Sequence, residues 1–265
     1  MGERQPVSCA VGTALQAYAR AVAAEGIVQI GGAFTPDPDA DAFVRTRPEA
    51  FLIGVLFTQG IPAERAWAGP WLLAQRLGHF DLGRLADERE AVAAAVAAPP
   101  ALHRFVRTLP RWISSAAARV LEQYGGDAGA IWRDGLRVSE VAERLRAFDG
   151  IGEKKAAMAT EILVRHLGKR LVGPEDGCVA YDVHVRRVFL RTGLASEDSP
   201  QAVGEAARRI CPEDPGSLDL ATWLIGREQC RPSKPQCDAC PLGRACPRLT
   251  HLRPDGVGVR RQDRS

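Results

Sequence analysis

The sequence predicts an all-α fold. Ala-rich stretches with apolar residues at a spacing of about 3.6 residues run through most of the chain, which is the pattern of amphipathic helices. Alternating apolar and polar residues, which would indicate strands, are scarce. Hydrophobic residues make up 46% of the 265 residues and charged residues 25%. This balance is typical of a globular protein with a substantial core.

The N-terminal part of the chain contains three predicted helix starts. A first helix is predicted over 13–25, before a Gly/Pro/Asp-rich break at 31–38. Pro48 to Phe57 is a second, very apolar helix, and Pro62 restarts the chain as a first-turn proline of a third helix. Further helices are predicted over 86–97, 100–108, 112–124, 138–147, 153–167, 183–192, 200–210 and 217–226.

Two features of the sequence bear on the location of the protein. No apolar run approaches the roughly 18–20 residues that a membrane span requires, and the N-terminus lacks the pattern of a signal peptide. We therefore expect no membrane partner and a cytoplasmic location, in the cytosol or at the nucleoid. The basic, polar tail 251–265 is predicted to be disordered. The net charge of +3 says little about a polyanion partner, because binding depends on local surface charge.

The hairpin predicted around residue 150 has the features of a phosphate-binding turn. One helix ends near Phe148, and Gly150-Ile151-Gly152 leads into the next helix at Glu153. Two glycines around one apolar residue allow a tight turn whose backbone N–H groups point outward, and such groups at a helix N-terminus bind phosphate without reading base sequence. The same pattern also occurs in ordinary helix–helix turns.

Lysine is rare in this chain, which has only four lysines among its 35 basic residues. Arginine stays protonated, whereas a lysine amine can lose its proton and attack carbon. Lys154 lies in the first turn of the helix after the hairpin, where the positive helix end and the adjacent Lys155 disfavour its protonated form. It is therefore a candidate nucleophile that could form a Schiff base. The alternative is a lysine that is solvated or contacts phosphate.

Asp182 is predicted to cap a helix that begins at Val183. A capping carboxylate accepts the first free N–H groups of its helix. The same rigid carboxylate can activate an amine or water, or stabilise a developing positive charge. Arg186, Arg187 and Arg191 follow on the same helix and are predicted either to form a phosphate-facing surface or to lie on a solvated face.

Four of the seven cysteines fall within 17 residues. Cys230, Cys237, Cys240 and Cys246 have the spacing C-x6-C-x2-C-x5-C. Four neighbouring thiolates indicate a metal site, and a single C-x2-C pair with wide flanks differs from the two knuckles of a zinc ribbon. An iron–sulfur cluster is therefore favoured over zinc. Arg231 and Lys234, within the first intercysteine loop, are candidate contacts to backbone phosphate or simply solvated charges.

Taken in order, these three features resemble the endonuclease III family of helix-hairpin-helix DNA glycosylases. The family carries Gly-Val-Gly-x-Lys, a later Asp that opens a helix, and the same cysteine spacing. The resemblance extends over roughly residues 45–247. It implies two helical lobes flanking a DNA-binding cleft: a six-helix barrel with the hairpin over 42–172, and a [4Fe–4S] cluster domain formed by 1–41 and 173–250.

The resemblance also implies roles for individual residues. Lys154 would be the nucleophile of a glycosylase with AP lyase activity, and Asp182 would be the catalytic carboxylate. Gln59 resembles the glutamine of a Ser-Ala-Gln segment that fills the gap left by an extruded base, although it is equally a polar residue at a helix end. Gly150 and Gly152 would contact the DNA backbone. The implied partner is double-stranded DNA with a damaged or mismatched base, bound by a monomer.

The chain departs from the family pattern at three places. Phe148-Asp149 replaces Leu-Pro before the hairpin, an extra loop occurs near 168–179, and Tyr181 and Val183 replace Val and Thr beside Asp182. We expect all three changes near the lesion pocket, so the lesion stays open. Oxidised pyrimidine is the first choice, followed by uracil, mismatched thymine and adenine. A monofunctional glycosylase with Asp182-activated water and a non-catalytic iron–sulfur DNA-binding protein are the alternatives.

Overall fold

The computed structural model describes residues 7–25 and 33–250. Within these ranges it contains twelve α-helices, three short 3-10 helices and no β-strand. Residues 31 and 32 of the glycine-rich break and the predicted disordered tail 251–265 lie outside the described residues. The helices are α1 (Val7–Ala24), α2 (Pro38–Thr46), α3 (Pro48–Phe57), α4 (Ala63–Leu77), α5 (Leu82–Asp87), α6 (Arg89–Ala97), α7 (Thr108–Tyr124), α8 (Val138–Arg146), α9 (Glu153–Arg165), α10 (Val183–Arg191), α11 (Pro200–Ile210) and α12 (Asp219–Glu228).

Helix α3 lies at the centre of a first hydrophobic core. Every residue from Ala50 to Phe57 is buried. Phe51 stacks on Trp67 of α4 with 5.6 Å between ring centroids and meets Trp132 edge-on at 5.4 Å. Side chains from α2 to α9 complete this core. Burying each such side chain stabilises the fold by about 1.5–3 kcal/mol.

Two glycines let α3 and α4 approach each other closely. A Cβ at Gly54 would lie 2.7 Å from the ring of Trp67, and a Cβ at Gly69 would overlap the ring of Phe57. Because real Cβ atoms do not approach so closely, both positions require glycine for this helix packing. The pairing places the C-terminus of α3 beside the N-terminus of α4.

A second core is formed by the two ends of the described chain. Helix α1 packs with α10, α11 and α12, and Leu15, Phe189, Val203 and Leu224 are among its buried side chains. Leu163 is the last buried residue of the first core along the chain, and Val179 is the first residue after it that belongs to the second core. The chain therefore passes from the first core to the second between these two residues. The domain boundaries at 42 and 173 stay a prediction.

The predicted helix over 100–108 is wrong. Residues 101–107 form a loop between α6 and α7, and α7 begins at Thr108 rather than at 112. Two arginines on α4 explain the difference: Arg76 donates hydrogen bonds to the carbonyls of Ala98 and Pro100, and Arg65 donates to that of Ala101. These carbonyls take long-range partners in place of a helix ladder.

Helix boundaries elsewhere differ in smaller ways. The predicted helix over 86–97 is two helices that meet at Glu88, and α2 was not predicted at all. Its signals were present, because Asp37 caps the helix and Pro38 occupies its first turn. Among residues 7–25 and 33–250, no helix has both the length and the apolarity to cross a membrane.

The extra loop near 168–179 packs against the N-terminus of α8. The backbone N–H of Val138 donates to the carbonyl of Val172, and the N–H of Val172 donates to the carbonyl of Leu136, each at 2.9 Å. Arg137 forms ion pairs with Glu175 and Asp176. The loop thus follows the outside of the hairpin helix pair instead of extending into solvent.

Candidate functional site

The predicted hairpin joins α8 to α9. Gly150 has a φ of +83°, and a Cβ there would lie 2.5 Å from the ring of Trp112. Gly152 caps α9 with extended backbone, and no atom lies within 4 Å of the position of its missing Cβ. Gly150 is therefore required by the turn itself, whereas Gly152 leaves the end of α9 open to a ligand.

The structure brings Lys154 and Asp182 to one cavity of about 420 Å³. Lys154 lies in the first turn of α9 and is exposed, and Asp182 immediately precedes α10 and is half-buried. Helices α4 and α9 of the first core and α10 and α12 of the second form the walls. The cavity thus lies between the two cores, and the half-buried Trp223 gives it an aromatic wall, whereas the ring of Trp67 is almost fully buried in the first core.

Asp182 is the predicted helix cap. Its Oδ1 accepts hydrogen bonds of 2.8 Å from the backbone N–H groups of His184 and Val185. Its Oδ2 accepts none from any residue in the described ranges. One oxygen therefore fixes the carboxylate and the other stays available for chemistry.

Two further carboxyl groups line this cavity, and neither was predicted from the sequence. Glu161 on α9 and Asp219 at the start of α12 are each 8% exposed. Burial raises the pKa of Glu161 to about 7, although Arg165 opposes the shift, and nearby Asp219 raises it further. Burial also raises the pKa of Asp219 to about 7, against the N–H of Ala180, which donates to it at 2.6 Å. The one available signal was that Glu161 follows Lys154 by two helical turns on the same face.

Lys155 points away from this cavity, into the first core. Its Nζ donates to the carbonyl of Leu56 at 2.9 Å and lies 5.4 Å from the ring centroid of Trp112. Burial lowers the pKa of Lys155 to about 8, and the charge of Lys154 lowers it further. The side chain holds the C-terminal end of α3 against α9 and is not a second nucleophile in the cavity.

Gln59 follows α3 and is exposed. It does not line the cavity, but its neighbours Thr58 and Gly60 do. Of the three departures from the family pattern, only Val183 reaches the cavity wall. Asp149 instead accepts a 2.9 Å hydrogen bond from Ser115 on α7 and does not line the cavity, so the expectation that all three changes are near the pocket is wrong for Phe148-Asp149. Loop 168–179 does not line the cavity itself, but its Gly177 lies against Oε1 of Glu161, which does.

The four clustered cysteines surround one cavity in the C-terminal loop. Burial raises the pKa values of the Cys240 and Cys246 thiols, and the neighbouring cysteines raise them further. The backbone N–H of Arg248 donates to Sγ of Cys246 at 3.3 Å, a contact that stabilises a thiolate. In the part of the chain that the structure describes, no three acidic, histidine or cysteine side chains lie close enough to hold a single metal ion.

The predicted phosphate-facing surface of α10 is wrong for two of its arginines. Arg187 is buried and donates to the carbonyls of Cys230 and Gly226, both at 2.6 Å. Arg191 is also buried and donates to the carbonyl of Arg231 at 2.6 Å. These side chains bind the cysteine loop to α10, because buried guanidinium groups require carbonyl or carboxylate partners.

The remaining candidate DNA contacts lie on the surface or at its edge. Arg186 forms an ion pair with Asp198 at 3.5 Å, and the same carboxylate accepts a hydrogen bond from the Tyr181 hydroxyl. Arg231 and Lys234 are exposed in the loop between the first two clustered cysteines. None of the three candidates, Arg186, Arg231 and Lys234, lines the cavity.

The chain is similar in sequence to endonuclease III proteins, although no family model matches it. Endonuclease III of Thermotoga maritima is 29% identical over 128 residues, which cover 48% of this chain and 51% of that protein. Endonuclease III of Rickettsia felis is 40% identical over 70 residues, 26% of this chain and 32% of that protein. The chain thus spans about half the length, or less, of these curated relatives.

Solved structures extend the similarity to almost the whole chain. The structure of a trapped endonuclease III–DNA covalent intermediate matches with a TM-score of 0.59 and 19% sequence identity. The match covers 90% of this chain and 95% of the chain in that structure. A thermostable thymine-DNA glycosylase has a TM-score of 0.62 at 14% identity, with 91% and 98% covered. At these identities the match establishes the fold. The predicted all-α fold and the resemblance to endonuclease III are confirmed.

Proposed function

We propose that the protein is a DNA glycosylase of base excision repair, which extrudes a damaged or mismatched base from double-stranded DNA and excises it. The observation that carries the proposal is the position of Lys154 and Asp182, which come from different cores and line one cavity between them. A base within a duplex is inaccessible to side chains and must be rotated out, at a cost of a few kcal/mol. The cavity, with a volume of about 420 Å³ and an aromatic wall from Trp223, is suited to receive it.

Lys154 would supply the nucleophile. Its Nζ, as a free amine, attacks C1′ of the extruded nucleotide, and the glycosidic bond breaks with its electron pair leaving on the base. The amine then loses its protons as the sugar ring opens to a Schiff base. Removal of a C2′ proton expels the 3′ phosphate, which is the AP lyase reaction. Oδ2 of Asp182 can accept the proton from the amine or stabilise the positive charge that develops on the sugar.

A monofunctional glycosylase is the second candidate. In that mechanism Asp182 activates a water molecule and Lys154 only binds the DNA. The accessible Oδ2 of Asp182 favours this reaction as much as the first, because a fixed carboxylate serves equally as the base for water. Strand cleavage at an abasic site separates the two reactions.

The clustered cysteines fit a [4Fe–4S] cluster. Four thiols around one cavity provide the ligand set that such a cluster requires. The backbone N–H of Arg248 donates a hydrogen bond to one of their sulfurs, as is usual around such clusters. Cys230, Cys237, Cys240 and Cys246 would hold it. When bound, the cluster would fix the loop that carries Arg231 and Lys234, and it would take no part in cleaving the glycosidic bond.

The proposed DNA contacts rest on the family resemblance for most of the candidate residues. The open N-terminus of α9 at Gly152 would bind a backbone phosphate, with Gly150 shaping the turn. Gln59, beside the cavity mouth, would fill the gap that the extruded base leaves. Arg186, Arg231 and Lys234 would contact phosphates, and the protein would act as a monomer.

A panel of duplexes tests this proposal. Each duplex holds one lesion, including oxidised pyrimidines, uracil, mismatched thymine and adenine opposite oxidised guanine, and base release and strand cleavage are scored separately. We expect release of at least one base. Binding to every duplex without any release would support a non-catalytic DNA-binding protein and refute the proposal.

A further inference from the structure

Glu161 and Asp219, the cavity carboxyl pair, have no role in the proposed reaction. Isolated buried carboxyls are costly and are usually paired with cations. Both side chains line the same cavity as Lys154 and Asp182, and each is more than nine-tenths buried. Their burial therefore requires an explanation in the structure or in the ligand.

Each carboxyl uses only one oxygen within the protein. Oε2 of Glu161 accepts from Arg165 at 2.8 Å, and Oδ1 of Asp219 accepts from the N–H of Ala180 at 2.6 Å. Oε1 of Glu161 and Oδ2 of Asp219 accept no hydrogen bond from any residue of the described ranges. Neither oxygen belongs to the fully enclosed side-chain atoms that lack a partner, so both remain accessible.

The charge around the pair is not balanced. Arg165 and Lys154 are the neighbouring cations, but Nη2 of Arg165 also donates to both carboxylate oxygens of Asp214, at 2.7 and 2.8 Å. Asp219 forms no ion pair with any described residue, and Asp182 lies close enough to raise its pKa. A ligand that donates hydrogen bonds would therefore be attracted to this wall, and a ligand oxygen would be repelled.

A close contact shows that the position of Glu161 is built into the fold. A Cβ at Gly216 would overlap Oε1 of Glu161, and a Cβ at Gly177 would lie 3.3 Å from it. Two glycines thus leave room for the carboxyl at the junction of the cores. The surrounding cavity, at about 420 Å³, is within the range of roughly 300–1,000 Å³ that is typical of small-molecule sites.

We propose that the cavity carboxyl pair contacts the extruded base and selects bases that carry an exocyclic amino group over bases that carry only carbonyl groups. This inference rests on the proposed function. An amino group has two N–H donors, which Oε1 of Glu161 or Oδ2 of Asp219 can accept, whereas a carbonyl places its oxygen against them. Among oxidised pyrimidines, cytosine-derived bases are therefore preferred over thymine-derived bases.

Equilibrium binding to duplexes that cannot be cleaved tests the selection without requiring turnover. Each duplex holds one 2′-fluoro nucleotide with adenine, cytosine or uracil, placed opposite an abasic analogue so that no partner base opposes extrusion. A duplex with tetrahydrofuran in place of the nucleotide is the reference without a base. At a pH above 8, where both carboxyls with pKa values of about 7 are ionised and can only accept, we expect the wild-type protein to bind the adenine and cytosine duplexes about 10-fold or more tightly than the uracil duplex, each relative to tetrahydrofuran.

Glu161→Gln and Asp219→Asn separate base contact from a structural role. Both amides can keep the internal contact, because the amide oxygen still accepts from Arg165 or Ala180, but each presents an N–H donor in place of the accessible oxygen. We expect either change to reduce or reverse the preference for amino bases, with tetrahydrofuran binding unchanged. Asp214→Asn is the matched control: it removes a charge from the same Arg165 network without lining the cavity, and it should leave the preference intact.

The inference would be overturned by no preference in the wild-type protein, by a preference for uracil, or by an unchanged preference in both amide variants. Equal weakening on all duplexes would assign the pair to structure alone and would also overturn it. Failure of the proposed function is read separately, as the absence of base release on the lesion panel.

Discussion

Replacing each hairpin glycine with alanine separates the folding role of the turn from its proposed role in DNA binding. Gly150 has a φ of +83°, and a Cβ added to it would lie 2.5 Å from the ring of Trp112, whereas a Cβ at Gly152 would face open space. A left-handed conformation costs a non-glycine residue about 1–3 kcal/mol, and overpacking costs a similar amount. We therefore expect Gly150→Ala to destabilise the protein by about 2–5 kcal/mol.

Gly152→Ala should have the opposite profile. Its Cβ meets no protein atom, so the free energy of unfolding should change by less than about 1 kcal/mol. The same Cβ would stand between the end of α9 and a bound phosphate. Loss of one charge-assisted hydrogen bond costs about 1.5–3 kcal/mol, so binding to abasic duplex DNA should weaken about 10- to 100-fold.

Urea unfolding followed by circular dichroism and fluorescence-anisotropy titration of an abasic duplex measure the two quantities on the same preparations. The reasoning about the turn would be refuted by a Gly150→Ala protein as stable as the wild type. Wild-type affinity in Gly152→Ala would refute a phosphate contact at the end of α9.

Three further predictions concern the site and the cysteine loop. Asp182→Asn keeps an oxygen to cap α10, so the free energy of unfolding should change little. Single-turnover base excision should slow about 10²- to 10⁴-fold. Excision at the wild-type rate would exclude Asp182 from the chemistry. The folded-state pKa values of Glu161 and Asp219, about 7, exceed the ordinary values of 4.5 and 3.8, so the folded state binds these protons more tightly. These two groups should therefore contribute most to stability below about pH 4, and their contribution should be lost as the pH rises through about 7, with Glu161 accounting for on the order of 3 kcal/mol. Glu161→Gln should flatten the dependence of urea-unfolding stability on pH between about 4 and 8. Cys237→Ala should abolish the brown colour and the bound iron of the purified protein, whereas a colourless wild-type protein that contains zinc would refute the iron–sulfur assignment.

The parts of the fold that local sequence determines were predicted well. Helix α3 was predicted to the residue, because Pro48 fixes its start and an unbroken apolar run fixes its length. The loop at 101–107 was not, because its backbone carbonyls bind Arg65 and Arg76 on α4, and such long-range contacts override local helix propensity.

The candidate site divides in the same way. Lys154 and Asp182 were predicted because each matches a family motif at a helix start, although the local sequence alone favoured a plain lysine and a helix cap, and the structure places both at one cavity. Glu161 and Asp219 were missed because their importance arises only where the two cores meet. Arg187 was predicted to lie on either a phosphate-facing or a solvated surface, and both alternatives are wrong, because helix periodicity alone does not reveal that the cysteine loop covers that face.

Borohydride trapping on a duplex with a single abasic site tests the central claim most directly, because reduction of a Schiff base leaves a covalent protein–DNA adduct. The account predicts an adduct with the wild-type protein, its loss in Lys154→Ala, and its persistence in Lys155→Ala if that variant folds by circular dichroism. An adduct that survives Lys154→Ala, or the absence of any adduct at every pH tested, would contradict the assignment of Lys154 as the nucleophile.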